Sequence, residues 1–549
     1  MSAVTASIRP VARQTISRRL LTGIGTMIRL ILRRNWLRMI IWATVLVIMI
    51  PIVYASQRQT FPTQAARDAY ARVADTPSVA AMTGLPYAAG SLGGILVIKI
   101  WMTLAVALCF AVIFAITHNG RADEEVGRTE LLRSAALGRH AYTVANLSVT
   151  AAFSIVVGLA ISGACLAVGL PVAGSWSMGA SIAGVGVAFT GIAAICGQLM
   201  STSRSANGLS VLVLALSYLI RAAADLAASG ERASSASPDP LSWASPIGWA
   251  QNMRAFGADH WWPFALLVGL GAVTAVVALV IEAHRDLGAG VVAARPGPAD
   301  ASDLLRRPIG LAIRLQRGSM VGWALGVLVA GAFFGGVATA MASLVDPGTA
   351  TAKLFVGRAD DVIDGVLALF VLFIALLAAA YAVQSVSAAR LEEAAGRLEM
   401  QLAGALSRFR WLGTQVVVTV VWSTVIMAVG GAVIGLAYGR GALRLTGSAL
   451  AYWPAVLLLV GVVLFLTGWL PRLTTAVAWA IYGLSTVIAM FGGLLSLPQD
   501  LIDHTPFAAV PRLPSESLSW PPLLVLTGIA VLLAAAGIWR FCRRDLAPE

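Results

Sequence analysis

Twelve apolar runs, each long enough to cross a bilayer at about 20 residues per crossing, leave this chain little choice of fold. In hydrocarbon every backbone polar group must be satisfied within the chain, so runs of this length form helices. They lie near residues 37–56, 92–117, 143–172, 177–200, 207–227 and 263–282, then near 321–343, 363–387, 411–438, 448–470, 473–496 and 521–541. Only 12% of the 549 residues are charged, about half of the roughly 25% found in soluble domains. The pattern predicts an all-α polytopic membrane protein. The net charge of +13 sits on arginines strung along the short loops. Membrane topology demands that placement, and it argues against a nucleic-acid partner.

The twelve runs divide into two sets of six. Ahead of each set lies a stretch with apolar residues on one helical face and arginines on the other, at 16–36 and 309–320. Such helices suit the membrane interface. Residues 288–308 have the composition of a flexible linker, which places a first half at 1–287 and a second at 309–549. Trp42 pairs with Trp323, Ser245 and Pro246 with Thr505 and Pro506, and residues 285–287 with 544–546, RDL in both. An even number of spans per half makes the repeat parallel. Placing the N-terminus inside puts 27 arginines on cytoplasmic segments and 10 outside. Both chain ends, the linker and the loops after spans 2 and 8 are then cytoplasmic by the positive-inside rule. No removable signal peptide is expected from the arginine-rich first 36 residues.

The loops after spans 2 and 8 carry the sharpest repeat. Residues 121–139 read RADEEVGRTELLRSAALGR, and residues 390–408 read RLEEAAGRLEMQLAGALSR. Without a gap the two share Arg121/Arg390, Glu124/Glu393, Gly127/Gly396, Arg128/Arg397, Glu130/Glu399, Ala136/Ala405, Leu137/Leu406 and Arg139/Arg408. Chance would give roughly one or two identities. The positive-inside rule asks for arginines, but not for matched acids or a glycine at a fixed offset. These cassettes, within 118–142 and 388–410, are therefore expected to dock another protein. Glycine there either breaks the helix or lets another backbone approach.

Catalysis finds no support. The four cysteines and five histidines fall at no metal or disulfide spacing. A P-loop needs a lysine followed by serine or threonine, yet the two lysines, Lys99 and Lys353, precede Ile100 and Leu354. ATP hydrolysis of that kind is excluded. No proton relay of carboxylates or histidines runs through an apolar span. Arg221 and Asp225, four apart near the end of span 5, are expected to pair, and Lys99 to snorkel outward.

An interfacial helix, a charged helix between spans 2 and 3, and a long outer segment containing SPIGW (245–249) before span 6 together resemble the ABC-2-type, type V exporter-like membrane subunits of ATP-binding-cassette transporters. The fused twelve-span form, with residues 124–132 reading EEVGRTELL, is similar to the actinobacterial exporters of polyketide antibiotics, including tetronasin-type multidrug efflux permeases. The resemblance spans the whole chain; the second cassette departs from it at Ala394, Ala395 and Leu398. It implies that each cassette is a coupling helix seated on one of two copies of a separately encoded ATPase, which bind the ATP and magnesium. Docking then falls to Arg121, Asp123, Glu124, Glu125, Gly127, Arg128, Glu130 and Arg139, and to Arg390, Glu392, Glu393, Gly396, Arg397, Glu399 and Arg408. The first cassette, with its extra Glu125 and Arg133, is expected to matter more. Segments 229–260 and 497–520 become outer re-entrant caps. Spans 2, 5, 8 and 11 face a central cavity, which nominates Met102, Phe110, Phe114, Tyr218, Phe370, Phe373, Tyr482, Met490 and Phe491 as lining for hydrophobic small molecules. The competing reading is a 6+6 proton-coupled transporter. Gly120, Glu124, Gly127 and Arg128 echo a loop motif of the major facilitator superfamily. The basic residues expected in that motif are replaced by Glu125 and Thr129.

Overall fold

The computed structural model describes residues 20–75, 77–134, 137–228, 239–292, 299–344, 359–491 and 504–546. The start of the first interfacial helix, the middle of the linker and the segments 229–238 and 497–503 lie outside these. The chain forms two compact units, Met1–Pro296 and Gly297–Glu549. Among the described residues every regular element is helical, and eleven helices are long and apolar enough to cross a membrane. A shorter apolar helix, Thr474–Met490, stands where the eleventh of twelve spans is expected.

The first unit opens with α1 (Ile24–Thr60), α2 (Gln64–Ala74) and α3 (Pro77–Thr83). The second long helix is built from α4 (Leu92–Leu96), a π-helical turn at Val97–Trp101 and α5 (Met102–Asn119). The cassette follows as α6 (Arg121–Glu125) and α7 (Arg128–Arg133). Next come α8 (Ala141–Ala167), α9 (Val172–Leu199), α10 (Ser203–Ala228), the short α11 (Pro246–Gln251) and α12 (Trp262–His284). The second unit comprises α13 (Pro308–Leu344), α14 (Ala359–Ala394), α15 (Arg397–Leu402), α16 (Arg408–Tyr438), α17 (Ala442–Leu450), α18 (Trp453–Trp469), α19 (Thr474–Phe491) and α20 (Trp520–Arg543).

Neither interfacial helix is a separate element from the span that follows it. Residues 24–60 form one helix, and so do 308–344. Asn35 at the first junction and Gly318 and Ser319 at the second do not end the helices; Asn35 instead donates to the Ile31 carbonyl at 3.0 Å, and the backbone bonds continue. Among the described residues of 16–36 the interruption lies at Gly23, whose φ of 81° places it in the left-handed region.

Packing within each unit relies on small residues. Lipid tails are as apolar as leucine, so helices in a membrane associate by close approach rather than by escape from water. In the first unit α9 is largely buried among α5, α8 and α12. A Cβ on Gly158 would come within 2.5 Å of the Gly179 carbonyl oxygen, and one on Gly179 within 2.2 Å of that of Gly158. Side chains at either position would push α8 and α9 apart. In the second unit α14 holds the centre against α16, α18 and α19.

Candidate functional site

Each cassette is two short helical pieces joined at a glycine. In the first, α5 stops at Gly120, α6 carries Arg121–Glu125, and Gly127 adopts φ 72° before α7 begins. In the second, α14 runs on to Ala394 and Gly396 adopts φ 70° before α15. A Cβ at Gly127 or Gly396 would meet nothing within 4 Å. The glycines therefore serve the left-handed turn, not the approach of another backbone.

Across that turn an acid grips an arginine five residues on. Asp123 Oδ1 accepts from Arg128 at 3.1 Å, and Glu392 accepts both from Nε (2.9 Å) and Nη2 (2.8 Å) of Arg397. The bond to Glu392 raises the Arg397 guanidinium above its usual pKa. Asp123 is further held by Arg34 (2.7 Å) and by the Tyr142 hydroxyl (2.6 Å), while Arg34 also reaches Asn119.

Of the other repeated charges all but Glu130 and Glu399 face inward, and they form two equivalent clamps. Arg285, just past α12, takes Glu124 with both terminal nitrogens, at 2.6 and 3.0 Å. Arg544, just past α20, takes Glu393 in the same way, at 2.5 and 2.7 Å. Arg121 donates to the Gly197 carbonyl at 2.6 and 3.0 Å, and Arg390 to that of Pro471 at 2.9 Å. Arg139 and Arg408 donate to the carbonyls of Ala283 and Arg544. Bidentate arginine–carboxylate pairs of this kind fix geometry as well as supply energy. Each cassette is thereby tied to the chain at the end of the fourth long helix of its unit and at the end of the last.

The residues nominated for docking fall into a buried set and an exposed set. Arg121, Asp123, Arg390 and Glu393 are buried, none more than 3% exposed, and Glu124 spends both oxygens on Arg285. Their charged atoms are spent within the unit, where they hold the cassette together. Arg139 and Arg408 are likewise turned onto backbone carbonyls. What faces outward is Glu125, Arg128 and Glu130 in the first cassette, and Arg397 and Glu399 in the second, with Glu392 half-buried. Glu125 also accepts from the Ser203 hydroxyl at 2.8 Å, which joins the cassette to the start of α10.

Two residues absent from the sequence reading stand among those charges. Leu131 is 75% exposed and Met400 is 73% exposed. They occupy the same place in the repeat, 269 residues apart, and that offset was the available signal. Val126 and Leu391 are bare as well.

Within each unit the residues nominated as lining have these surroundings. Met102 and Phe370 belong to the cores of their units. Phe373 and Phe370 stack on Phe334 at 5.3 and 4.7 Å. The hydroxyls of Tyr218 and Tyr482 are spent on the carbonyls of Met82 and Leu376. Met490 packs partly buried against the second core, and Phe491 closes α19 with its side chain outside the description. Phe114 is different: it is 46% exposed, stacks on Phe110 at 5.9 Å and lines an open cavity. Elsewhere, Arg221 and Asp225 pair at 2.9 Å, with Arg221 also capping the Ala81 carbonyl at 2.7 Å. Lys99 lies over the Phe61 ring at 4.8 Å.

Membrane-length helices packed through small residues, with charges confined to their ends, define a multi-pass membrane protein. Residues 305–542 match the family model described as the C-terminal domain of the multidrug efflux system permease Rv1217c. Over 536 residues the chain is 34% identical to the multidrug efflux system permease protein Rv1217c of Mycobacterium tuberculosis (strain ATCC 25618 / H37Rv), covering 96% of this chain and 95% of that protein. The chain belongs to this family of multidrug efflux permeases.

Proposed function

We propose that this chain is the membrane subunit of an ATP-driven exporter, moving hydrophobic and amphipathic small molecules, drugs among them, out of the cell. Two copies of a separately encoded ATPase sit on the two cassettes, which lie on the cytoplasmic face together with both chain ends. The observation that carries this reading is the pair of bare apolar residues, Leu131 and Met400, at equivalent places on two clamped, charge-rimmed cassettes. A large apolar side chain exposed within a charged ring has the anatomy of a protein contact. The family's name supports efflux, and the likeness to ABC-2-type subunits supports the ATPase.

The clamps say how force would travel. ATP and magnesium are held by the partner, which closes and displaces the cassettes. Because Glu124 is locked to Arg285 and Arg121 to Gly197, the first cassette moves with the ends of α9 and α12. Glu393, Arg544 and Arg390 tie the second cassette to its own unit in the same way. The displacement therefore tilts whole helices, as alternating access requires.

The test is co-purification with a soluble P-loop ATPase, the partner that this reading requires. Leu131→Asp and Met400→Asp should each lose the partner while the permease still elutes as a single species. Full retention of the ATPase by both variants, with transport undiminished, would sink the docking reading. In inverted vesicles, ATP-fed transport should survive collapse of the proton gradient; its loss would favour the proton-coupled alternative.

A further inference from the structure

We propose that the cavity at the cassette end of the first unit is a binding site for the anionic head of an amphiphile, a carboxylate or phosphate bearing an apolar tail. The cavity measures about 330 Å³ and lies between α1, α5, α8 and α10. Its size falls within the usual range for small-molecule sites.

The chemistry of its wall is one-sided. Arg38 and His118 line it, and no acid does. Arg38 is exposed and makes no ion pair among the described residues, whereas neighbouring Arg34 is neutralised by Asp123. Two polar side chains wait deeper in. The Thr117 hydroxyl is fully buried and the Asn207 side-chain oxygen is sequestered, and both lack a hydrogen-bond partner. A buried hydroxyl without a partner costs roughly 1–3 kcal/mol, and an oxyanion reaching this wall supplies the missing bond by accepting from Thr117; the Asn207 oxygen is itself an acceptor and is left to a donor on the ligand or to water. Trp42 and Phe114 form the apolar side, suited to a hydrocarbon or ring system attached to that head.

The second unit shows what makes the site. At the positions matching Arg38, Thr117 and His118 it has Ser319, Val386 and Ser387. Ala115, which lines the cavity, is matched by Gln384, whose Oε1 accepts from the Trp323 indole at 2.6 Å. The Tyr381 ring packs edge-on against that tryptophan at 6.5 Å. Larger side chains thus occupy around Trp323 the room that Ala115 leaves around Trp42, and neither the Arg38 guanidinium nor the His118 imidazole has a counterpart.

Two of the cavity's residues also belong to the cassette machinery. Ala122 lies on α6, and Ser203 is the residue that holds Glu125. A ligand here presses on the joint between the cassette and α10, so its occupancy is felt at the docking surface. That last step rests on the proposed export function; the anion site does not.

The full chain in zwitterionic phosphatidylcholine nanodiscs, with no ATPase present, is titrated with dansyl-undecanoic acid and with its methyl ester. The acid should bind about tenfold more tightly than the ester, the worth of one charge-assisted contact. Arg38→Ser should abolish that preference while leaving ester binding, Arg38→Lys should keep most of it, and Ala115→Gln should weaken both probes. Equal affinity for the two probes, or an acid preference that survives Arg38→Ser in a chain that still binds the ester, overturns the proposal. Competition by phosphatidylglycerol added to the nanodiscs identifies a lipid headgroup as the occupant. Absence of competition, with the acid still bound, identifies a free amphiphile. If the acid binds as described but never alters the ATPase rate of the assembled complex, the site stands and the export coupling fails.

Discussion

Gly120 separates the first cassette from its membrane helix, whereas Ala389, at the matching place, lets α14 continue to Ala394. The first cassette therefore hangs from a joint and is steadied by Arg34 and Tyr142 on Asp123. The second is an extension of the helix itself and needs no such props. The floors beneath them differ in the same sense. Under the first, Glu282 accepts from Thr143 at 2.9 Å and meets His140 at 2.9 Å. The matching residues of the second are Phe541, Leu412 and Phe409, with Phe541 stacked on Trp411 at 6.0 Å. The Glu–Arg clamp, the arginines on backbone carbonyls, the acid–arginine grip across the left-handed glycine and the exposed apolar residue beyond it are common to both. What the two halves share is mechanical, and what distinguishes them is polar chemistry concentrated in the first.

That comparison can be broken most decisively at the clamps. Arg285→Ala and Arg544→Ala should each cost about 2–3 kcal/mol, the loss of a charge-assisted bidentate bond, because Glu124 keeps Arg121 at 2.9 Å and Glu393 keeps Arg390 at 3.5 Å; the cost is read as a lowered unfolding temperature in detergent. Removing the acid as well, as in Glu124→Ala with Arg285→Ala, should recover part of the loss in either half. A clamp that matters in one half alone would end the equivalence. Leu131→Asp and Met400→Asp come next: thermal stability should be unchanged, and capture of the ATPase should fall about tenfold or more, the weight of a contact hot spot. A larger effect at Leu131 would sharpen the expectation that the first cassette matters more. Gly127→Ala and Gly396→Ala should each cost about 1 kcal/mol, since the left-handed backbone is strained but no neighbour is touched. Smallest of all, Arg128→Ala and Arg397→Ala should change stability by at most about 1 kcal/mol, both arginines being largely exposed. Unfolding curves for the four variants check the last two predictions together.

Much of this architecture was legible beforehand. The long helices follow from apolar runs that have no other way to satisfy their backbone, and the repeat from the Arg–Glu–Gly–Arg spacing. The direction in which the charges face was not legible. Glu124 and Arg285 lie 161 residues apart, and Glu393 and Arg544 lie 151 apart. A loop carboxylate whose partner is that distant reads as free, and therefore as available to another protein. The matching RDL triplets at 285–287 and 544–546 held the answer, because an arginine repeated alongside a repeated glutamate is a candidate partner for it. Leu131 and Met400 were passed over for the opposite reason. A lone apolar residue in a charged loop carries no pattern until its exposure is known.

The unbroken helices at the start of each unit have a consequence of scale. At 37 residues each, α1 and α13 are roughly 55 Å long, nearly twice the ~30 Å of bilayer hydrocarbon. A rod of that length either leans or stands proud of the membrane, and it cannot do both halves of its work independently. Arg34, about a third of the way along α1, is bonded to Asp123. Any change of lean in α1, whether set by bilayer thickness or by a passing substrate, is therefore delivered to the first cassette as a lever delivers a displacement to its load. Membrane thickness should then be a control variable for this protein, acting through one ion pair.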